Sequence, residues 1–231
     1  MTEFEKQFRE VQELLEFNDF NQTIKRVIDF TLDSENIEFY IKTNEFLNWL
    51  DHNEKEDEDK KTRLKTLLDE LHAFLSKKEC HNHQTIISVK NLQKVYNASF
   101  GLGPINLDIK TGEIIGLVGE NGNGKTTLLR SLCGELHPTS GTINYQFQYD
   151  DLYDLRTKLV YIPQRTDTWR GSMYENLEFT ASCYGYSPEE NNWVVDLVIT
   201  RLGLRKFRKH SWNNLASGYK MRFELARMLL R

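Results

Sequence analysis

Residues Glu113–Cys133 constrain the fold of this chain more than any other stretch. An apolar run (Ile114, Ile115, Leu117, Val118) gives way to the glycine-rich Gly119–Gly124, and from Lys125 the apolar residues Leu128, Leu129 and Leu132 recur at helical spacing. The order predicts a buried strand, a loop and a helix. Gly119, Gly124, Lys125 and Thr126 fill the fixed positions of the phosphate-loop pattern in the context that pattern requires. Glu120, Asn121, Gly122 and Asn123 lie between them, and Thr127 follows. Glycines 119, 122 and 124 permit backbone angles that turn consecutive N–H groups inward around a phosphate, while the helix N-terminus adds a favourable partial charge. Lys125 is placed to reach the β- and γ-phosphates of a nucleotide, and Thr126 to hold the Mg²⁺ that bridges them.

The 231 residues are enough for one domain and an appendage, and the charge distribution favours that division. Residues 1–80 carry 20 Asp and Glu against 12 Lys and Arg, whereas residues 81–231 carry 14 against 18. An acidic first segment and a net charge of −4 argue against a nucleic-acid partner held by its phosphates and against an anionic membrane surface. No apolar run approaches the ~20 residues of a membrane helix, so direct insertion is not expected. The Met1–Glu5 start has no signal pattern, which predicts a cytoplasmic location. Cys80, Cys133 and Cys183 form an odd, scattered set that offers no disulfide framework.

Along residues 1–79 four helical stripes are predicted. Phe4, Phe8, Val11, Leu14 and Leu15 share the first; Asn21 caps a second that carries Ile24, Val27 and Ile28. Ile37, Tyr40, Ile41, Phe46, Leu47 and Leu50 suggest a third. After the mixed-charge run Asp51–Lys61, Leu64, Leu67, Leu68, Leu71, Phe74 and Leu75 form a seam on the fourth. Each stripe needs a partner, so an all-α bundle without chemistry of its own is expected. Cys80, His81 and His83 lack the further ligands a closed zinc site needs, and residues 80–84 read as a polar linker.

From residue 85 to 231 strands and helices alternate. Strands are predicted at Ile86–Val89, at Ile105, Leu107 and Ile109, from Ser140 to Tyr145, and from Leu159 to Ile162, with Gly134 stopping the phosphate-loop helix. Asp150, Asp151 and Asp154 read as a solvated loop. Met173, Leu177, Phe179 and Cys183, then Trp193, Val194, Leu197, Val198 and Leu202, follow helical periods, and Arg205, Lys206, Arg208 and Lys209 form a basic cluster. Ser217 and Gly218 stand before a last helix carrying Leu225, Met228 and Leu229, a second helix N-terminus suited to an anion.

Residues from about 85 onward resemble the nucleotide-binding subunit of an ATP-binding cassette (ABC) transporter. Tyr96 matches the aromatic that stacks on adenine in that family. Gln164, in Tyr161-Ile162-Pro163-Gln164, matches the glutamine that senses Mg²⁺ and the γ-phosphate. Gly171–Leu177 looks like the start of the family's helical subdomain, here about 170–220. Leu215–Arg222 falls where the family has its Leu-Ser-Gly-Gly-Gln signature, with Ala216, Ser217 and Tyr219 departing from it. The resemblance implies an α/β P-loop NTPase fold of ABC ATPase type behind an all-α appendage. It implies ATP and Mg²⁺ as cofactors, Lys125 and Gln164 in catalysis, and Gln164 with Thr126 at the metal. It also implies a second ATP-binding subunit, in a homo- or heterodimer, whose ATP meets Ser217 and Gly218, and a separate integral membrane permease that holds the chain at the inner face of a membrane. The rival reading is a soluble regulatory or ribosome-associated ATPase of the same type without a permease. The family's Mg²⁺-binding Asp, catalytic Glu and switch His lie on strands after the equivalent of Arg231. The resemblance therefore implies weak ATP binding and slow turnover for the chain as it stands, with the strand Ile114–Val118 left at a sheet edge.

Overall fold

The computed structural model describes residues 2–53, 57–78, 84–97, 100–163 and 168–231, and these form two compact units. One comprises Met1–Glu79 with Gln164–Arg231; the other is Cys80–Pro163.

In the second unit, β1 (Thr85–Asn97) is the central strand of a three-stranded antiparallel sheet, with β2 (Phe100–Lys110) on one side and β3 (Ser140–Tyr145) on the other. Val89 pairs with Leu107 in β2 and Ile143 in β3. The alternation read from Ile87, Val89 and Ile105–Ile109 thus sets the register, because one slipped residue would turn the apolar set to solvent. Ile87, Val89 and Leu92 are buried with Leu128 and Leu132 of α5 (Lys125–Leu132). That contact seats the phosphate-loop helix on the sheet.

The expected strand Ile114–Val118 is absent. Residues 113–120 take no regular structure, and Ile114 and Val118 are 98% and 96% exposed. The apolar run Leu159–Ile162 is likewise irregular. A strand exists only with a ladder partner, and among the described residues the sheet contains β1, β2 and β3 alone. The described residues therefore form no sheet that includes Ile114–Val118. The acidic loop is also structured: Asp151 accepts a hydrogen bond from the Asp154 N–H and caps α6 (Leu152–Lys158), within which Asp154 pairs with Lys158 at 2.8 Å.

The first unit is helical. α1 (Glu3–Glu16), α2 (Phe20–Ser34), α3 (Ile37–Leu50) and α4 (Asp57–Leu75) follow the predicted stripes, with Phe8, Val11, Val27, Ile28, Leu64, Leu68 and Leu71 in the core. Asp19, not Asn21, caps α2 by accepting from the Gln22 N–H at 3.1 Å. α4 starts inside the charge run, where Asp57, Glu58 and Asp59 complement the positive helix N-terminus. The Thr31 and Thr43 hydroxyls bond each other at 2.8 Å in the interior, tying α2 to α3. α7 (Met173–Cys183), α8 (Pro188–Arg201) and α9 (Ser217–Leu229) share the same core, and α2 and α3 pack directly on α8. The basic cluster is partly paired: Arg205 meets Asp51 at 3.1 Å.

α7 opens with a capping box, in which the Ser172 side chain accepts from the Glu175 N–H and the Glu175 carboxylate accepts from the Ser172 N–H at 2.9 Å. Both bonds satisfy donors that the helix itself leaves unpaired, and the Ser172 N–H and hydroxyl, which both donate to the Glu175 carboxylate, hold that carboxyl below its ordinary range. Ser172→Ala is expected to lower stability by about 1 kcal/mol, read from thermal unfolding of the full chain. A change near zero would show that water replaces the cap.

Candidate functional site

The phosphate loop lies wholly in the unit of β1–β3. Gly122 and Gly124 adopt φ of 90° and 78°, in the left-handed region that a side chain makes costly. A Cβ on Gly124 would also approach Leu102 Cδ1 to 2.7 Å, whereas one on Gly122 would meet nothing within 4 Å. Gly124 is the N-cap of α5 and supplies no side chain to it. Among the described residues the N–H groups of Lys125, Thr126 and Thr127 consequently have no acceptor, while Leu128 N–H donates back to the Gly124 carbonyl. Three free donors at a helix N-terminus are a seat for an anion. The Lys125 ammonium donates to the Gly119 and Glu120 carbonyls at 2.6 and 2.7 Å, so it sits over the loop rather than in bulk solvent. Gly119, Glu120, Asn121, Gly122, Asn123 and Thr126 are exposed, and Thr127 is half-buried.

Tyr96 stands near the end of β1, 48% exposed, with its hydroxyl 3.4 Å from Thr127 Oγ1. The sheet thus brings the aromatic ring to the first turn of α5. Lys94 belongs to the same arrangement: its ammonium lies 5.8 Å from the Tyr96 ring centre and donates to the His137 carbonyl at 2.7 Å. Sequence reading passed over Lys94, although its spacing of two from Tyr96 puts both on one face of a strand.

Ser217 and Gly218 lie in the other unit. Ala216 is the N-cap of α9, and Ser217 and Gly218 are the first two helical residues rather than the residues before it. No side chain caps this helix, and both residues are exposed. The Ser217 and Gly218 N–H groups have no acceptor among the described residues, whereas Tyr219 and Lys220 donate to the Ala216 carbonyl. Tyr219, a departure from the signature pattern, packs its ring 4.0 Å from that of Phe207 and under the Arg222 guanidinium. Gln164 lies outside the described residues, as do Cys80, His81 and His83.

The family model described as ABC transporter matches residues 102–231, more than half of the chain. The chain belongs to the ABC transporter family. Among curated relatives, this ABC-family chain is 30% identical over 164 residues to the probable multidrug ABC transporter ATP-binding protein YbhF of Escherichia coli K12, covering 69% of this chain and 28% of that protein. It is 34% identical over 156 residues to the methionine import ATP-binding protein MetN 1 of Acinetobacter baylyi, covering 62% and 44%. This chain spans less than half the length of either. Among solved structures, cbiO1 from Clostridium perfringens, part of the ABC transporter complex cbiONQ, superposes with a TM-score of 0.55 at 28% identity, covering 63% of this chain and 61% of that one. The fold is the P-loop NTPase fold of ABC ATPases, with an N-terminal helical region added.

Proposed function

We propose that this chain is the ATP-binding subunit of an ABC transporter and couples ATP binding and hydrolysis to a separate membrane permease. The observation that carries the reading is the meeting, in one unit, of an aromatic ring and a phosphate seat: Tyr96 beside Thr127, the free donors of Lys125–Thr127, and the Lys125 ammonium over the loop. The residues fit the group they are meant to hold. The open space over Gly122, and the left-handed backbone that Gly124 adopts as the loop enters α5, leave room over the loop for a triphosphate. Thr126 offers a hydroxyl oxygen, the ligand type Mg²⁺ prefers. Bound there, MgATP supplies the phosphoryl group whose hydrolysis drives transport. The chain's own part is to hold it: Tyr96 stacks on the base, the N–H groups and Lys125 take up phosphate charge, and Thr126 orients the cation. Gln164 is assigned to the metal and the γ-phosphate by resemblance alone.

Two such subunits would sandwich ATP, each presenting the free N–H groups of Ser217 and Gly218 to the other's phosphates. Attachment to the inner face of a membrane through a permease agrees with the described helices, none of which is long and apolar enough to cross a bilayer. The relatives named as import or multidrug ATP-binding proteins support transport without naming a cargo for this chain.

The test separates base from phosphate. Tyr96→Ala should lower ATP affinity about tenfold, in line with base–aromatic stacking of ~1–3 kcal/mol, and leave tripolyphosphate binding unchanged. Titration calorimetry of both ligands on both proteins measures it. An equal loss for the two ligands would remove Tyr96 from the nucleotide site, and absence of MgATP binding by the parent chain would overturn the proposed function itself.

A further inference from the structure

Within the helical unit, α8 touches α2 and α3 as well as α7 and α9. Val194, Val195, Leu197, Val198 and Ile199 are all fully buried. At about 100° per residue these positions span an arc of roughly 200°, much wider than the stripe of a helix with one covered face. α8 is therefore gripped on more than one side, and its polar contacts show how. Arg201 donates through Nε and Nη2 to both carboxylate oxygens of Asp29 in α2, at 2.5 and 3.0 Å. Asn44 of α3, itself nearly buried, donates to the Trp193 carbonyl at 3.1 Å. Arg205, just past α8, reaches Asp51 at the end of α3. Between Arg201 and Arg205, the Leu202 carbonyl accepts from Arg222 of α9 at 3.3 Å. Phe223 and Ala226 of α9 are buried in the same core. Three residues at and just past the end of α8, Arg201, Leu202 and Arg205, thus carry ties to the N-terminal helices and to α9.

We propose that the N-terminal helices brace the signature helix. Asp29 and Asn44 fix α8, α8 fixes α9, and the presentation of the Ser217 and Gly218 N–H groups to a second subunit's ATP depends on α2 and α3. The inference rests on the nucleotide-sandwich reading above. Asp29 and Arg201 are positioning residues: they act through α8. A bidentate Arg–carboxylate pair suits this task, because its two parallel hydrogen bonds fix orientation as well as distance.

The experiment uses the full chain, as wild type, Asp29→Ala, Arg201→Gln and the conservative Asp29→Glu. Hydrogen exchange without nucleotide should be about tenfold faster across residues 217–229 in Asp29→Ala and Arg201→Gln, the scale of a lost charge-assisted pair, and unchanged across 125–132 of α5. MgATP affinity of the isolated chain should not move. MgATP-driven self-association, followed by sedimentation, should weaken about tenfold in the two disruptive variants and be restored in Asp29→Glu. Unchanged exchange in α9 in both disruptive variants overturns the brace. So does faster exchange with unaltered self-association, which would leave the pair a structural contact only. A wild-type chain that binds no MgATP sinks the functional reading instead, while the nucleotide-free exchange comparison still decides whether the N-terminal helices hold α9.

Discussion

Replacing Lys125 with alanine is expected to weaken MgATP binding by about a hundredfold or more, the largest loss from any single side chain of the phosphate loop. A charge-assisted hydrogen bond is worth ~1.5–3 kcal/mol, and an ammonium between two phosphates makes more than one. The geometry already holds this cation in place: its bonds to the Gly119 and Glu120 carbonyls pin it over the loop, so little side-chain freedom is lost when phosphate arrives. Lys125→Ala also leaves the triphosphate charge to the helix N-terminus alone, whose contribution is smaller and screened by salt. The loop itself should survive the change, because its shape is set by Gly122 and Gly124 and by the seating of Leu128 and Leu132 on the sheet. Titration of folded variant and parent measures the effect, with circular dichroism as the check on folding. An affinity within about threefold of the parent, under 1 kcal/mol, would mean that the ammonium does not face the nucleotide.

The helices were legible because each carries its burial in its own spacing. Phe8, Val11 and Leu15, or Leu64, Leu68, Leu71 and Leu75, mark a covered face whatever lies opposite. What lies opposite was not legible. Val194, Leu197 and Val198 read as the apolar face of a helix, but nothing in that spacing says that Val195 and Ile199 are buried too, or that α2 and α3 cover part of the helix. Strands fared differently, since their existence depends on partners. Ile87 and Val89 alternate and find neighbours on both sides; Ile114–Val118 is at least as apolar and finds none among the described residues. Composition cannot separate the two cases. The phosphate loop was the opposite extreme: Gly124 at φ 78° and Lys125 over the loop follow from a local pattern with one backbone solution. The start of α9 was misplaced because Ala216, a poor capping residue, holds the N-cap, while Ser217, a good one, is already helical.

Phe223→Ala should be the most destabilising truncation in the helical unit, costing about 3–5 kcal/mol, a large share of the ~5–15 kcal/mol that a typical domain has in total. Phe223 is fully buried and the bulkiest of the described side chains that are less than 2% exposed. It lies on α9, which packs on α7 and α8, in the cluster that also holds the N-terminal helices. Removing its ring deletes apolar contact and leaves a cavity that three helices cannot close without shifting, which is why the cost exceeds simple transfer of the lost atoms. Phe223→Leu keeps most of the volume and should cost less than half as much. Urea unfolding followed by far-UV circular dichroism gives both values, provided the slope of the transition stays constant between variants. The consequences should remain local. α5 rests on Ile87, Val89 and Leu92, in a core that contains no residue of α9, so exchange across residues 125–132 should rise far less than across 188–201. A loss below about 1 kcal/mol in Phe223→Ala would show that α9 is not held by this core. In that case Asp29 and Arg201 could not act on the signature helix through α8, and the brace would fail together with the packing it depends on.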